Sequence, residues 1–503
     1  MAAARLAAST APGARRWVRL GGARRAATAA GAGGERAAAS LTGPTSAYVH
    51  LPFCKRKCFY CDFPVEAVGL EGAEKPRAQP EAAARRPGAC ARRLGTRDRM
   101  AAYVDLVVRE IRATAPLGGA PLETVSFGGG TPSLVPPALL EELLGALRAQ
   151  FGIAPGAEVS LEADPGTFDA AQLAAYRALG VTRLSIGVQS FQQDLLAACG
   201  RSHSLADVRA AVEAVRGAGL PSWSLDLISG LPGLDLAGWR HSLEQAIAAG
   251  PDHVSVYDLQ VEEGTPFDRW YGSGGRGRGR GRGGGGGALP EEPEAAAMFE
   301  LASSLLTAAG YEHYEISNYA RPGHRSRHNQ VYWACRPYHA FGLGAASYTG
   351  GRRLSRPRGM AAYAAWVEAF AARGGGCPAA HLPAESVEER LLDHVMLSLR
   401  LSDGLDLCAL QREHGAAVVR ALLPAAERAM AAGLMRLAPP APGAPLPPAA
   451  AAAAAAGPGA ACAWLRGALS VGEACGVRLS DPAGFMLSNA VISDLFAALD
   501  PSA

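Results

Sequence analysis

Between Tyr48 and about Asp258, short β-branched runs alternate with longer amphipathic ones, and few other patterns limit a fold so strongly. Strands are expected at 47–51, 124–129, 158–163, 183–190, 222–228 and 253–259. Helical patterns such as MAAYVDLVVREIRATA and LADVRAAVEAVRGAG lie between them, the second ending in Gly217 and Gly219, which suit a helix stop. Six β/α units in series predict an α/β fold on a parallel sheet, either an open doubly wound sheet or a partial (β/α)6 TIM-like barrel.

Three segments interrupt the plan. Residues 66–98 are rich in Pro, Ala and Arg and read as a loop insertion, 272–288 as a Gly/Arg linker, and 438–461 as an Ala/Pro/Gly spacer. An Arg-Gly run can also bind RNA, but no aromatic residues interleave here. Amphipathic patterns at 388–407 and 485–499 predict a smaller, mainly helical C-terminal domain. The expected division is a barrel core over 45–271, an extension over 289–360 and the C-terminal domain over 361–503.

The 503 residues are 49% hydrophobic and 19% charged, an ordinary balance for a folded protein of two or three domains. A net charge of +3 does not single out nucleic acid or membrane as the main partner, and no apolar run reaches the length of a transmembrane span. Residues 1–44 carry seven arginines against one acid, Glu35, and read as an organelle transit peptide, or as a tail shaped by composition alone. Chloroplast and mitochondrion are not separated by that composition. Seven of the ten cysteines are scattered, which fits a reducing compartment.

The other three stand together in HLPFCKRKCFYCDF, as Cys54, Cys58 and Cys61. Structural zinc wants four ligands, and only His50 is adjacent. A 4Fe-4S cluster fits the spacing better: one loop holds three irons and leaves the fourth open to a small molecule. Beyond the next strand comes FGGGTPS, whose glycines let backbone approach a ligand, or simply make a tight turn before a helix. Glu162, Gln189, Arg201 and Asp226 recur in or near the later strand ends, where barrel folds bind ligands.

Cys-x3-Cys-x2-Cys after a first strand, with Tyr60 before the last cysteine and a following GGGTP, resembles the radical S-adenosylmethionine (SAM) superfamily. The resemblance implies a 4Fe-4S cluster on Cys54, Cys58 and Cys61. It implies SAM bound near Tyr48, Tyr60, Gly129, Gly130, Thr131, Glu162, Gln189, Arg201 and Asp226.

RLSIGVQSF, DLISGLPG and YEISNYARPGHRSRHNQVYW extend the resemblance, over about 45 to 500, to the coproporphyrinogen III oxidase-like (dehydrogenase-like) branch, and within it to HemW-type haem chaperones of plant and algal organelles. Phe63 stands where the dehydrogenase has a further cysteine. The chaperone motif His-Asn-x-x-Tyr-Trp is matched by His328, Asn329, Tyr332 and Trp333, which the resemblance makes haem-binding candidates. Imidazole is a natural haem ligand and aromatics can cover a porphyrin; His328 alone equally fits a hydrogen-bonded histidine in a packed loop. The expected function is to bind haem as cargo and deliver it to acceptor proteins, served by an electron donor. The alternatives are a coproporphyrinogen III dehydrogenase-type enzyme and a zinc-stabilised binding module. Ser229 departs from relatives, where an aromatic residue or Met is common near the pocket.

Overall fold

The computed structural model describes residues 43–69, 95–272, 287–440 and 444–500. The expected transit peptide, most of the 66–98 insertion and nearly all of the Gly/Arg linker lie outside the described residues.

Six parallel strands appear where the alternation placed them: β1 (Ser46–Leu51), β2 (Leu122–Gly129), β3 (Ile153–Ala163), β4 (Arg183–Gln189), β5 (Ser222–Ser229) and β6 (His253–Asp258). Helices α1 (Thr96–Ala113), α2 (Pro137–Phe151), α3 (Ala170–Leu179), α4 (Leu205–Ala218) and α5 (Leu236–Ala249) connect them. The extension adds α6 (Glu292–Ala308), antiparallel strands β7 (Glu312–Glu315) and β8 (Asn318–Ala320), helix α7 (Arg327–Trp333) and β9 (His339–Phe341). The sheet order is β9-β1-β2-β3-β4-β5-β6-β8-β7, with every pair from β9 to β6 parallel.

This order decides between the two architectures. A doubly wound sheet reverses its strand order and carries helices on both faces. Here β1 to β6 follow one another in sequence order. Their outward residues, among them Val125, Phe127, Leu161, Ile186, Leu225 and Val254, share one core with Leu143, Leu173, Val208 and Leu243 of the helices. The alternate residues Ser126, Ser160, Ser185, Ser224 and Ser255 line a single cavity on the other face. The sheet is therefore a partial barrel whose inside is polar.

The helix ends are set locally. Ser204 and Asp207 form a capping box at the start of α4, and Gly219 ends it in the left-handed region at φ 63°. At the β9 edge, the fully buried Glu110 of α1 accepts hydrogen bonds from Arg356 (2.8 Å), Tyr363 (2.6 Å) and the Gly342 amide (2.9 Å). Stripping a partner from such a buried ion pair costs about 3–5 kcal/mol.

A second hydrophobic core, from Leu391 to Leu495, belongs to a C-terminal module of helices and a three-stranded antiparallel sheet (Leu405–Asp406, Gly476–Leu479, Met435–Ala438). Three details differ from the sequence reading. Helix Met360–Ala372 packs Tyr363 and Val367 into the barrel core, so the barrel body runs past residue 360. The helix expected over 388–407 stops at Leu399, before the turn at Gly404 (φ 80°). Much of the expected 438–461 spacer is helical, with Pro448–Ala455 packed through the buried Ala450. Alanine has the highest helix propensity, and a neighbouring core to pack on turns that preference into structure. No helix among the described residues is long and apolar enough to cross a membrane.

Candidate functional site

The cysteine loop leaves the C-terminal end of β1 and closes over a cavity of about 380 Å3. Cys54, Cys58 and Cys61 all line it and none is in a disulfide. The loop is laced to its surroundings by backbone. Thr131 N donates to Phe53 O (2.7 Å), Gly130 N to Leu51 O (2.9 Å) and Phe59 N to Cys199 O (2.9 Å). Phe53–Cys54 also pairs with Glu66–Ala67.

Arg201 ties the loop to the barrel. Its guanidinium donates to Asp164, to Gly187 O (2.7 Å), to Tyr60 OH (3.3 Å) and to Cys58 Sγ (3.5 Å). Thr131 Oγ1 lies 3.1 Å from Asp164 Oδ2 and 3.7 Å from Cys54 Sγ. One carboxylate thus orients both a cation and a hydroxyl towards the thiols. Burial pushes the Cys54 thiol up to about 12, and the charges of Asp164, Cys61 and Cys58 add to the shift. Three crowded thiols are electrostatically at odds with one another until a cation shares them. The donor set, all sulfur and from one loop, fits an iron-sulfur cluster.

Deeper in the cavity are the strand carboxylates. Glu162 accepts from Gly129 N (2.9 Å), and burial raises it to about 7. Asp226 accepts from Ser185 (3.0 Å) and rises to about 6 through burial, opposed by hydrogen bonds from Ser255 and Ser185. Gln189 takes φ 68°, uncommon for a residue with a side chain, and its buried Oε1 has no hydrogen-bond partner among the described residues. A strand-end residue held in that conformation leaves an acceptor on the cavity available to a ligand.

Of the residues singled out in the sequence, Cys54, Cys58, Tyr60, Cys61, Gly129, Gly130, Thr131, Glu162, Gln189, Arg201 and Asp226 share this cavity. Phe63 lines it too. Tyr48 does not. It is buried in a cluster with Val331, Tyr332 and Trp333 and lies 3.1 Å from His50 Nδ1. The glycine loop is also packed tightly from behind. A Cβ on Gly130 would stand 2.7 Å from Phe53 O and 2.8 Å from Leu51 O, and one on Gly129 (φ 109°) would stand 2.3 Å from the His50 ring. These glycines thus permit a close approach to the base of the cysteine loop, while both also line the cavity.

The chaperone motif lies at the opposite end of the barrel. Ser326 caps α7, whose first amides, Arg327 N and His328 N, donate to Glu158 of β3. His328 is 2% exposed, with Nδ1 2.7 Å from Thr124 Oγ1 and Nε2 2.8 Å from Tyr332 OH. Burial lowers its pKa to about 3. Both ring nitrogens are therefore engaged within the protein, and an axial bond to haem iron would have to displace Thr124 or Tyr332. The helix is a floor: His328, Asn329 and Trp333 reach the cavity, while Tyr332 packs edge-on against Tyr338.

Residues not singled out in the sequence complete the wall. Asp164 follows the β3 end directly, and Asp258, whose carboxyl burial raises, accepts from Ser229, the residue already noted for its departure from relatives. Glu315, Ser317 and Asn318 come from β7, β8 and their turn.

A family model for the radical SAM superfamily matches residues 48–246, and one for the HemN C-terminal domain matches 386–439. The heme chaperone HemW of Synechocystis sp. is 44% identical over 364 residues, covering 72% of this chain and 79% of its own. HemW of Escherichia coli is 36% identical, covering 60% and 69%. A radical S-adenosyl methionine domain-containing protein 1, mitochondrial, from Bos taurus is 34% identical over 62% of each chain. Among solved structures, coproporphyrinogen III oxidase (HemN) from Escherichia coli superposes with a TM-score of 0.62 at 19% identity, covering 93% of this chain and 92% of its own, which is a likeness of fold. With such identity across most of a relative's length, the chain belongs to the HemW family of radical SAM proteins.

Proposed function

We propose that this protein is a haem chaperone that carries a 4Fe-4S cluster on Cys54, Cys58 and Cys61 and binds SAM in the cavity beneath them. The observation that carries the cofactor reading is the meeting of three thiols with Arg201, Asp164, Glu162 and Asp226 in one cavity at the strand ends. When bound, the cluster supplies an electron that can split the sulfonium of SAM. The chain's own part is positional. Arg201 and Thr131 steady Cys58 and Cys54 from the Asp164 carboxylate, Gln189 offers an unsatisfied amide oxygen, and Glu162 and Asp226 offer acceptors for ribose hydroxyls or a cationic group.

Haem as cargo is supported by the names of the HemW relatives. Acceptor proteins and an electron donor belong to the same reading. An organellar address is supported by the arginines of the first 44 residues and by a relative named mitochondrial. Phe63 on the cavity wall supports chaperone over dehydrogenase, since a side chain without a titratable group stands in place of a thiol.

The test is one anaerobic preparation divided in two. With haem, the reconstituted protein should develop a Soret band and pass haem to an apo-acceptor. With coproporphyrinogen III, SAM and a reductant, it should release no CO2. Conversion to protoporphyrinogen overturns the reading.

A further inference from the structure

The C-terminal module carries a second cluster of metal-binding side chains, far along the chain from the cysteine loop. His394 lies on helix Val387–Leu399, and Glu413 and His414 end helix Leu407–His414. One ligand atom from each of the three lies within 4.8 Å of the other two. His394 Nδ1 is 3.6 Å from Glu413 Oε2, and His414 Nε2 is 3.6 Å from Glu413 Oε1. These separations are too long for good hydrogen bonds. They are close to the spacing of about 3.3 Å that ligands take around a tetrahedral ion bonded at ~2.0–2.1 Å.

A second observation points the same way. The His414 side chain is only 3% exposed, yet both of its ring nitrogens lack a hydrogen-bond partner among the described residues. A buried imidazole with neither nitrogen satisfied is costly, and an ion between the three side chains would satisfy one of them.

From this geometry we infer that His394, Glu413 and His414 form a binding site for a divalent transition-metal ion, of which Zn2+ is the natural probe. Two imidazoles and one carboxylate suit Zn2+ and leave a fourth position for water. The ion would fasten together the two helices that flank strand Leu405–Asp406. Asp393, beside His394, pairs with Arg353 of the barrel-side hairpin at 2.6 Å, so the site lies next to the joint between the two bodies.

The test uses the full chain with its iron-sulfur cluster reconstituted, so that Cys54, Cys58 and Cys61 are occupied. Zn2+ uptake is measured by equilibrium dialysis, with iron counted in the same samples. The wild type should hold one equivalent more than the His394→Gln/His414→Gln double variant at equal iron. Glu413→Gln changes a half-exposed side chain and should keep the fold, but weaken binding at least about tenfold and remove the rise in Tm that Zn2+ gives the wild type. Equal uptake and equal Tm response in the wild type and Glu413→Gln would overturn the site, whatever the double variant does. Loss of iron alone would bear on the cysteine loop instead.

Discussion

At the mouth of the barrel, polar groups face each other with bonding capacity left over: three crowded thiols, two carboxyls raised by burial, and Gln189 with an unsatisfied oxygen. At the floor, His328 is enclosed between Thr124 and Tyr332, and Glu158 holds the first amides of α7. Both ends are rich in residues that chemistry can use; at the floor the His328 imidazole is satisfied, while Trp333 Nε1 and His253 Nδ1 lack a hydrogen-bond partner among the described residues. A histidine that reads as a free ligand in one dimension can have both nitrogens satisfied in three, and only the folded hydrogen-bond network shows it.

The largest effect should come from the mouth. Cys58→Ala removes one of three thiols from a loop that has no spare, and the 4Fe-4S absorption of the reconstituted protein should vanish. Full cluster content in that variant, measured as iron and sulfide per chain, would mean that the mouth is not the metal centre.

Gly130→Val comes next. The added side chain would meet the backbone at Leu51–Phe53, which cannot move without the cysteine loop. Overpacking of this kind costs about 1–3 kcal/mol or more. The variant should lose both stability and cluster content, by denaturant titration and by iron assay. Normal iron with weakened SAM binding would restore the view that this glycine serves the ligand directly.

Why the two ends differ in legibility is a matter of sequence distance. The six strands could be read because a period-two pattern is local, and their serial order followed from the β/α alternation. The cysteine loop was legible because three ligands sit within eight residues. The carboxylates were partly legible: Glu162 and Asp226 stand out on apolar strands, whereas Asp164 acts through Arg201, 37 residues away. The fate of His328 depends on Thr124, 204 residues away, and no local pattern announces that bond. Tyr48 likewise joins a cluster with Val331, Tyr332 and Trp333, nearly 300 residues on, which no local pattern shows.

His328→Ala sharpens the contrast from the floor. It strands Thr124 and Tyr332 and opens a void, at a cost of about 2–4 kcal/mol. Cluster content and the Soret band of added haem should stay as in the wild type. Loss of the Soret band without loss of stability would return His328 to the role of ligand.

The smallest effect is one of sign, and it sets the two ends against each other. Glu162 titrates near 7 in the folded chain against an ordinary 4.5, so between those values the folded state holds a proton that the unfolded state has released. Its contribution to stability is therefore full below about pH 4.5 and is lost as pH rises through 7. Asp226, raised to about 6, acts in the same direction. His328 is depressed to about 3 from 6.5, so its contribution is present above pH 6.5 and is lost as pH falls towards 3. Glu162→Gln should flatten the decline in stability on the way up from pH 4.5 to 7. His328→Gln should flatten the decline on the way down from 6.5. Urea titrations of cluster-free protein at half-unit pH steps measure both slopes. If both substitutions tilt the profile the same way, or neither changes its shape, the electrostatic difference between mouth and floor is not real. SAM, once bound, brings a sulfonium and an ammonium that should lower Glu162, so the mouth's slope should shrink in the SAM-loaded protein while the floor's stays.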